Sequence, residues 1–158
     1  MIPVLDWRQF AADPDGFVQA IGTACRDMGF FLLTHHSVPP ALQAEVFAQA
    51  DAFFSLPRAE KAKVSILNTP HFRGWGKPGD ESLDETSPLV DTKETCNIGY
   101  DLPPDDPRVV AGEPFRGVNQ WPDLPGFADT MLAYYDAALD LGVNIHRAFA
   151  RDLGLDPN

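Results

Sequence analysis

Four histidines are the residues of this sequence best suited to bind a transition metal: His35, His36, His71 and His146. An iron(II) site of the facial-triad kind takes two histidines and one carboxylate. Two of these ligands usually lie two residues apart on a strand, where both side chains point to one side. None of the four histidines is followed two positions later by Asp or Glu, and HExxH and CxxC motifs are absent. The sequence therefore predicts no complete metal site.

The residues around these histidines favour structural roles. His35 and His36 follow a short apolar run, and adjacent residues on a strand point to opposite faces, so the two imidazoles would not converge on one ion. We interpret them as strand-end side chains that bond to loop backbone, with a metal or proton site as the alternative. His146 falls on the apolar face of a predicted helix, and we interpret it as a core histidine with a hydrogen-bond partner.

Motifs for covalent or phosphate chemistry are also missing. There is no GxSxG, and Cys96 has neither a helix N-terminus nor a base close by in the sequence. Gly74-Trp75-Gly76 lacks the preceding strand and following helix of a phosphate-binding loop. One acidic run could attract a cation, but it lacks the glycine and spacing of a calcium loop, and we interpret it as a solvated loop. This run contains Asp80, Glu81, Asp84 and Glu85.

The composition limits both the class of protein and its partners. The 158 residues are 44% hydrophobic, which fits one globular domain. A formal charge of -11, from 23 acidic and 12 basic residues, disfavours a phosphate-tracking surface, so we expect neither nucleic acid nor an anionic membrane as a partner. The sequence has no basic leader, no apolar run of about 18 residues and no disulfide framework, so we expect a cytoplasmic protein.

The spacing of apolar and helix-breaking residues predicts the elements that would position a site. Asp13-Pro14 is typical of a helix start, and the apolar residues after it recur every three or four positions up to Gly29, a typical helix end. The predicted elements, in chain order, are a strand at Ile2–Asp6, a helix from Pro14, a buried strand at Phe30–Thr34, a helix ending near Phe54, a polar turn at Arg58–Lys61, a loop over Ile66–Val90, a strand at Thr92–Tyr100 and, after a proline-rich connector, a long helix over about residues 123–153. This plan is α+β, with too few strands to close a sheet.

Short motifs along nearly the whole chain resemble those of one enzyme family. They are Ile2–Asp6, Gly29–His36 ("GFF-hydrophobic-x-(N/T)-H"), Phe53–Lys61 ("FF-x-LP-x-x-x-K"), Arg73–Trp75 ("RGY", with Trp for Tyr), Asp91–Thr95 ("D-x-KE"), Asn119–Pro122 with Pro125–Phe127 ("N-x-WP...PGF"), Tyr134–Tyr135 and Leu153–Leu155 ("LGL"). In this order they resemble the N-terminal region of iron(II)- and 2-oxoglutarate-dependent oxygenases of the isopenicillin N synthase type. Asp105–Arg108 adds to the likeness to isopenicillin N synthase itself and its bacterial relatives.

The resemblance implies an α+β fold that forms the N-terminal helical and strand portion of a double-stranded β-helix, or jelly-roll, oxygenase. Residues 1–158 would be the non-haem dioxygenase N-terminal domain, with the long helix included, and the catalytic C-terminal half would be a missing partner. In the family that half carries the His-x-Asp and distant His that bind Fe(II) and the Arg-x-Ser that binds 2-oxoglutarate. We therefore expect both cofactors in a full-length protein, and no catalytic or metal residue in this chain alone.

By the same resemblance, two residues match positions that line the family's substrate pocket. Arg73 is expected to pair with a substrate carboxylate through a two-point contact, and a surface ion pair with the acidic loop is an equal alternative. Cys96 lies on the predicted strand at Thr92–Tyr100, at a position where relatives often carry Phe. It would line the pocket or serve the packing of the strand.

The resemblance favours the N-terminal part of an oxygenase that hydroxylates, desaturates or cyclises a small organic molecule. Because strands such as Thr92–Tyr100 would lack partners, we expect the isolated chain to self-associate. One alternative is a stand-alone, non-catalytic binding or regulatory domain, or a subunit completed by another chain. A different small enzyme that uses Cys96 or His71 is a further alternative, and an activated Cys96 thiol would be its sign.

Overall fold

A computed structural model describes residues 1–80 and 91–157 and contains short strands and helices of unequal length. The strands are β1 (Val4–Asp6), β2 (Leu32–Thr34), β3 (Gly74–Gly76) and β4 (Thr95–Asn97). The α-helices are α1 (Gln9–Ala12), α2 (Pro14–Asp27), α3 (Pro40–Phe54), α4 (Arg58–Ala62), α5 (Pro107–Val110) and α6 (Phe127–Asp152), and a 3-10 turn covers Ile66–Asn68.

These elements group into two compact units, which are described separately. The terminal unit contains Met1–Gln43 and Asp136–Asn158, and the central unit contains Ala44–Tyr135. Helices α3 and α6 each supply residues to both units. The length of the chain predicts one domain, and nothing in the sequence marks this division.

The terminal unit is built on a parallel pair of strands and on helix α2. β1 pairs with β2, and Leu5 lies opposite Leu33. Side chains alternate across a strand, so these two leucines share one face, and both pack on the core. The buried members of this core are Phe17, Val18, Ile21 and Ala148.

Helix α2 begins and ends where the sequence predicts. The Asp13 carboxylate accepts the Gly16 N–H at 3.1 Å, and Pro14 occupies the first turn. Gly29 follows the helix with φ of +83°, a left-handed conformation that glycine adopts without strain. The apolar spacing of α2 extends to Met28 and predicts that this residue is buried. Met28 is nevertheless 40% exposed, because it lies beyond the last helical turn.

The strand at Phe30–Thr34 was predicted to be buried, and this prediction is wrong for one of its faces. Phe30 and Leu32 are 53% and 54% exposed, and Val4 on the neighbouring strand is 61% exposed. A two-stranded sheet with a core on one side covers only alternate residues. The described part of the terminal unit therefore leaves an exposed sheet face, defined by Ile2, Val4, Phe30 and Leu32.

In the central unit, β3 and β4 form an antiparallel ribbon with Trp75 opposite Cys96. The sequence predicts a loop over Ile66–Val90 because of its glycines and prolines, and this prediction is wrong for β3. Gly74 has φ of +106°, and any Cβ at this position would overlap the Val64 carbonyl oxygen. Glycine therefore permits this strand, because it alone allows the close backbone approach.

The core of the central unit collects aromatic rings from elements far apart in the sequence. The rings of Phe53 and Phe127 lie 5.4 Å apart, centroid to centroid. The apolar spacing of helix α3 predicts a core face that includes Phe53 and Phe54. Phe53 is buried as predicted, whereas Phe54 is 38% exposed. The buried members of this core are Phe53, Val64, Trp75 and Phe127.

Helix α6 has 26 residues and agrees with the long helix predicted over about residues 123–153. Gly154 follows it with φ of +69°, which ends the helix as glycine commonly does. Within residues 1–80 and 91–157, no helix combines the length and the apolar character needed to cross a membrane.

The structure changes the interpretation of three histidines. His35 has φ of +53°, and its Nδ1 lies 3.3 Å from the Asp6 carboxylate, whereas loop backbone was the predicted partner. His36 Nδ1 is buried and has no hydrogen-bond partner among the described residues. His146 is exposed, with Nδ1 2.7 Å from the Gly142 carbonyl oxygen. The core interpretation of His146 is wrong, because apolar spacing marks a helix face but not how much of it is covered.

Candidate functional site

Arg73, the residue before β3, directs its charged side chain into the interior of the central unit. It is only 8% exposed. Its Nη1 donates to the His71 carbonyl oxygen at 3.2 Å, and its Nη2 donates to the Phe115 carbonyl oxygen at 2.8 Å. Its Nε is buried and has no acceptor among the described residues. A side chain this buried does not fit the surface ion pair that the sequence left open.

Two side-chain amides fix the backbone around Arg73. Asn119, itself 5% exposed, accepts the Gly99 N–H at 2.9 Å and donates to the Gly99 carbonyl oxygen at 2.8 Å. Gln120 Nε2 donates to the carbonyl oxygens of Arg73, at 2.6 Å, and Ser65, at 2.8 Å. In the sequence, both amides are visible only as members of the motif at Asn119–Pro122. Their bonding partners are too distant in the chain for spacing to reveal them.

Cys96 lies on the core side of the ribbon. It packs against the central core opposite Trp75, and none of the Arg73 hydrogen bonds involves it. Burial raises the pKa of the Cys96 thiol to about 11. A nucleophilic cysteine needs a lowered pKa, so this environment does not activate the thiol.

An ion pair between a buried lysine and a partly exposed glutamate stabilises the start of β4. Lys61 Nζ donates to Glu94 Oε2 at 2.6 Å and to the Phe54 carbonyl oxygen at 2.9 Å. Trp75 Nε1 donates to the same Glu94 oxygen at 2.9 Å, and Lys61 also lies over the Trp75 ring. These two donors hold the pKa of Glu94 below its usual value. The sequence predicts a polar turn at Arg58–Lys61, yet Lys61 is 5% exposed.

A cleft of about 430 Å³ opens on the other side of the ribbon. Phe72, which is 60% exposed with φ of +56°, lines it together with Leu67, Thr69 and Asn97. Bulky residues adopt positive φ rarely, and such strain persists only where the surroundings hold it. The Phe72 ring lies 6.0 Å from that of Phe115, whose φ is +59°. The cleft combines an apolar wall with a few polar groups, as small-molecule sites do.

No metal centre is formed by the described residues. Among residues 1–80 and 91–157, no three His, Cys, Asp or Glu side chains are grouped closely enough to hold an ion. Of the acidic run, Asp80 forms an ion pair with Lys77, which lowers the Asp80 pKa. The other members, Glu81, Asp84 and Glu85, lie outside the described residues, as does the rest of the predicted loop up to Val90.

The fold and the motifs define the N-terminal region of a non-haem oxygenase. The family model described as "non-haem dioxygenase in morphine synthesis N-terminal" matches residues 2–124. The chain belongs to this family. The resemblance to oxygenases of the isopenicillin N synthase type, read from the motifs, is thereby confirmed.

Relatives with similar sequences have names that describe the same class of enzyme. The 2-oxoglutarate-dependent dioxygenase thnC of Trichoderma harzianum is 34% identical over 97% of this chain and 48% of its own length. The 2-oxoglutarate-dependent dioxygenase citB of Monascus ruber is 36% identical over 89% of this chain and 44% of its own length. The chain thus spans about half the length of the curated relatives it matches.

Solved structures show the same relation. A 2OG-Fe(II) oxygenase family protein from Caulobacter crescentus matches 99% of this chain with a TM-score of 0.82 and 25% identity, and the match covers 50% of that protein. A full-length protein from Neurospora crassa, solved in complex with alpha-KG, matches 99% of this chain with a TM-score of 0.74 and 29% identity over 49% of its own chain. The described fold is therefore the fold of about half of a 2OG-Fe(II) oxygenase.

Proposed function

We propose that this chain forms the N-terminal domain of an Fe(II)- and 2-oxoglutarate-dependent oxygenase that hydroxylates, desaturates or cyclises a small organic molecule. The structural match to half of a 2OG-Fe(II) oxygenase, with a TM-score of 0.82, supports this most directly. In this proposal the domain covers residues 1–158, with helix α6 included, and the protein works in the cytoplasm. The jelly-roll half would correspond to the part of the relatives' chains that residues 1–158 do not match.

The described residues do not fit an iron site of their own, because no cluster of metal-binding side chains exists among them. Iron and 2-oxoglutarate would be held by the catalytic half, where the metal supplies oxygen activation. The task of residues 1–158 would be to pack against that half and to form one wall of the substrate pocket.

Arg73 is the residue that we propose for binding the substrate, through a carboxylate on that molecule. Its guanidinium is buried, its hydrogen bonds go to neutral carbonyl groups, and its Nε has no acceptor among the described residues. A carboxylate matches the fork of guanidinium donors and would neutralise the buried charge. Cys96 would contribute to the same wall through apolar contact, since its raised pKa of about 11 keeps the thiol protonated at neutral pH.

The exposed sheet face of the terminal unit is the surface that we propose for contact with the missing half. Val4 and Leu32 are more than half exposed, at 61% and 54%. Contiguous apolar surface of this kind marks an interaction site or an aggregation hazard. The chain made alone should therefore self-associate, and replacement of both residues by Asp should reduce self-association in analytical ultracentrifugation. A monomeric parent chain would contradict this proposal.

The experiment that tests the function is the intact mass of the protein purified from its source, followed by a 2-oxoglutarate turnover assay with Fe(II). A mass near twice 17.4 kDa together with turnover would support the oxygenase. A mass of 17.4 kDa with no turnover would favour the alternative, in which the chain is a non-catalytic binding or regulatory domain or a subunit completed by another chain. Co-purification of a second polypeptide would then separate the subunit from the free-standing domain.

A further inference from the structure

The Arg73 guanidinium occupies space that exists only because residue 99 is glycine. A Cβ built on Gly99 would overlap Nη2 and Cζ of Arg73 and would lie 2.7 Å from Nε. Gly99 is not required here for its backbone angles, since it is not among the residues with positive φ. Glycine at this position therefore makes room for the guanidinium and is not needed to form a turn.

The position of Gly99 is itself fixed by Asn119. The Asn119 amide bonds both the N–H and the C=O of Gly99, as a neighbouring strand would. The Asn119 backbone N–H donates to Asp101 Oδ1 at 2.9 Å, and Asp101 forms a β-bridge with Gly117. The backbone that borders the guanidinium is thus held on both sides, and buried hydrogen bonds of this kind specify one geometry.

Gly117 leaves room for a second side chain in the same way. A Cβ on Gly117 would overlap the His71 ring, and the His71 carbonyl oxygen accepts Arg73 Nη1. Two glycines on neighbouring segments therefore make room for the side chains of His71 and Arg73. The contact at Gly99 therefore limits the position of the guanidinium directly, and the contact at Gly117 bears on it through His71.

We propose that Gly99 and Asn119 are positioning residues that set the depth and orientation of the Arg73 guanidinium for an anionic group. This inference rests on the proposed substrate-binding role of Arg73. Beyond that role, selectivity for a carboxylate would depend on Gly99 and Asn119 as well as on the arginine. An enlarged residue 99 would displace the guanidinium and weaken binding of an anion without removing any charge.

The test uses the complete protein as its source produces it, with Gly99→Ala and Asn119→Ala. Gly142→Ala and Asn144→Ala are matched controls. Gly142 has open space around the position of a Cβ, and among the described residues the Asn144 amide bonds only within helix α6. The first readout is the Arg73 Nε–H signal in a proton–nitrogen spectrum, assigned by its loss in Arg73→Lys. We expect Gly99→Ala and Asn119→Ala to shift this signal and speed its solvent exchange about tenfold or more, because a displaced donor is no longer buried. Unchanged signals in both variants would overturn the proposal.

A double-mutant cycle covers the case in which Gly99→Ala fails to fold. Arg73→Ala removes the atoms that a Cβ at residue 99 would overlap. The factor by which Gly99→Ala changes the unfolding equilibrium constant should therefore be about tenfold or more smaller in the Arg73→Ala background. The same cost in both backgrounds would show that Gly99 does not act through Arg73 and would overturn the proposal.

Titration with benzoate, and with neutral benzamide as a control, separates the positioning from the binding role. Benzoate should shift the Arg73 Nε–H signal in the parent, and its affinity should fall about tenfold in Gly99→Ala, since guanidinium–carboxylate bonds depend on geometry. Equal benzoate affinities of the parent and Gly99→Ala would contradict the proposal that Gly99 positions the Arg73 guanidinium. No benzoate response in the parent, together with a shifted Nε–H signal in Gly99→Ala, would refute the binding role of Arg73 and leave its positioning supported.

Discussion

The two units of this protein use different kinds of contact in their interiors. The core of the terminal unit is apolar, with Ile21 and Ala148 fully buried. The buried polar residues of the described chain all belong to the central unit, and they are Lys61, Arg73, Asn119 and Thr130. Apolar packing is tolerant of small shifts, whereas hydrogen-bonded networks require one geometry. Both units thus have an apolar core, and the central unit adds buried polar groups whose hydrogen bonds fix particular positions.

The largest effect that would sharpen this comparison is expected for Glu94→Gln. The change leaves the buried Lys61 ammonium without its carboxylate partner. Because the Glu94 side chain is itself 31% exposed, we expect a loss of about 3 kcal/mol, at the low end of the range for breaking a fully buried pair. Urea unfolding followed by hydrogen exchange of the central unit measures the loss. Glu60→Gln is the control, because its pair with Lys63 is exposed on both sides and should contribute less than about 1 kcal/mol. Equal losses in the two variants would contradict a structural role for the buried pair.

Ile21→Ala should give a loss of similar or slightly smaller size in the terminal unit. The side chain is 0% exposed, and removal of a buried aliphatic side chain costs about 2–5 kcal/mol. The distinguishing measurement is Ile21→Val, which keeps the apolar character and should cost only about 1 kcal/mol. If Ile21→Val lowers the free energy of unfolding as much as Ile21→Ala does, the core of the terminal unit does not tolerate small changes in packing, and the contrast with the central unit fails.

Asp13→Ala should have a moderate effect, because it removes the cap of helix α2 while leaving its core face intact. The Asp13 carboxylate accepts the Gly16 N–H, and loss of such a cap costs about 1 kcal/mol. Helical circular dichroism during thermal unfolding would report the change, and Asp13→Asn should retain most of the stability. A loss from Asn as large as that from Ala would show that the cap is not the cause.

The pH dependence of the central unit tests the same Lys61–Glu94 pair, and its sign follows from the lowered pKa of Glu94. The pKa of Glu94 in the folded protein lies below its ordinary value of 4.5, so ionisation stabilises the fold. This contribution is present above pH 4.5 and is lost as the pH falls through the lowered pKa. The stability difference between the parent and Glu94→Gln should therefore narrow on acidification below that value. A difference that stays constant would exclude the ion pair as its source.

Much of the terminal unit could be predicted from local sequence. Asp13, Pro14 and Gly29 set the ends of helix α2, and the apolar periodicity between them marks the buried face. These signals are local because capping and helical spacing involve residues within a few positions of each other. The exposure of Leu32 could not be predicted, because strand composition does not reveal which face lacks a partner.

The central unit shows where prediction from the sequence stops. Gly74 reads as a loop residue, yet it lies in a strand, because the Val64 carbonyl approaches too closely for any side chain. Arg73 was proposed from its motif alone, and its burial and its carbonyl partners were not visible. Cys96 was placed on the right strand, but its environment in the core depends on residues from distant elements.

The sequence alone specifies the family, the order of the main elements, the caps of α2 and the long helix, and it shows that these 158 residues contain no iron-binding motif. These features depend on residue types and on short spacings. Only the tertiary structure decided that Lys61 is paired with Glu94, that Gly99 leaves room for Arg73, and that the sheet face at Leu32 is open. Each of these depends on groups brought together across many intervening residues, and spacing along the chain does not encode such distances.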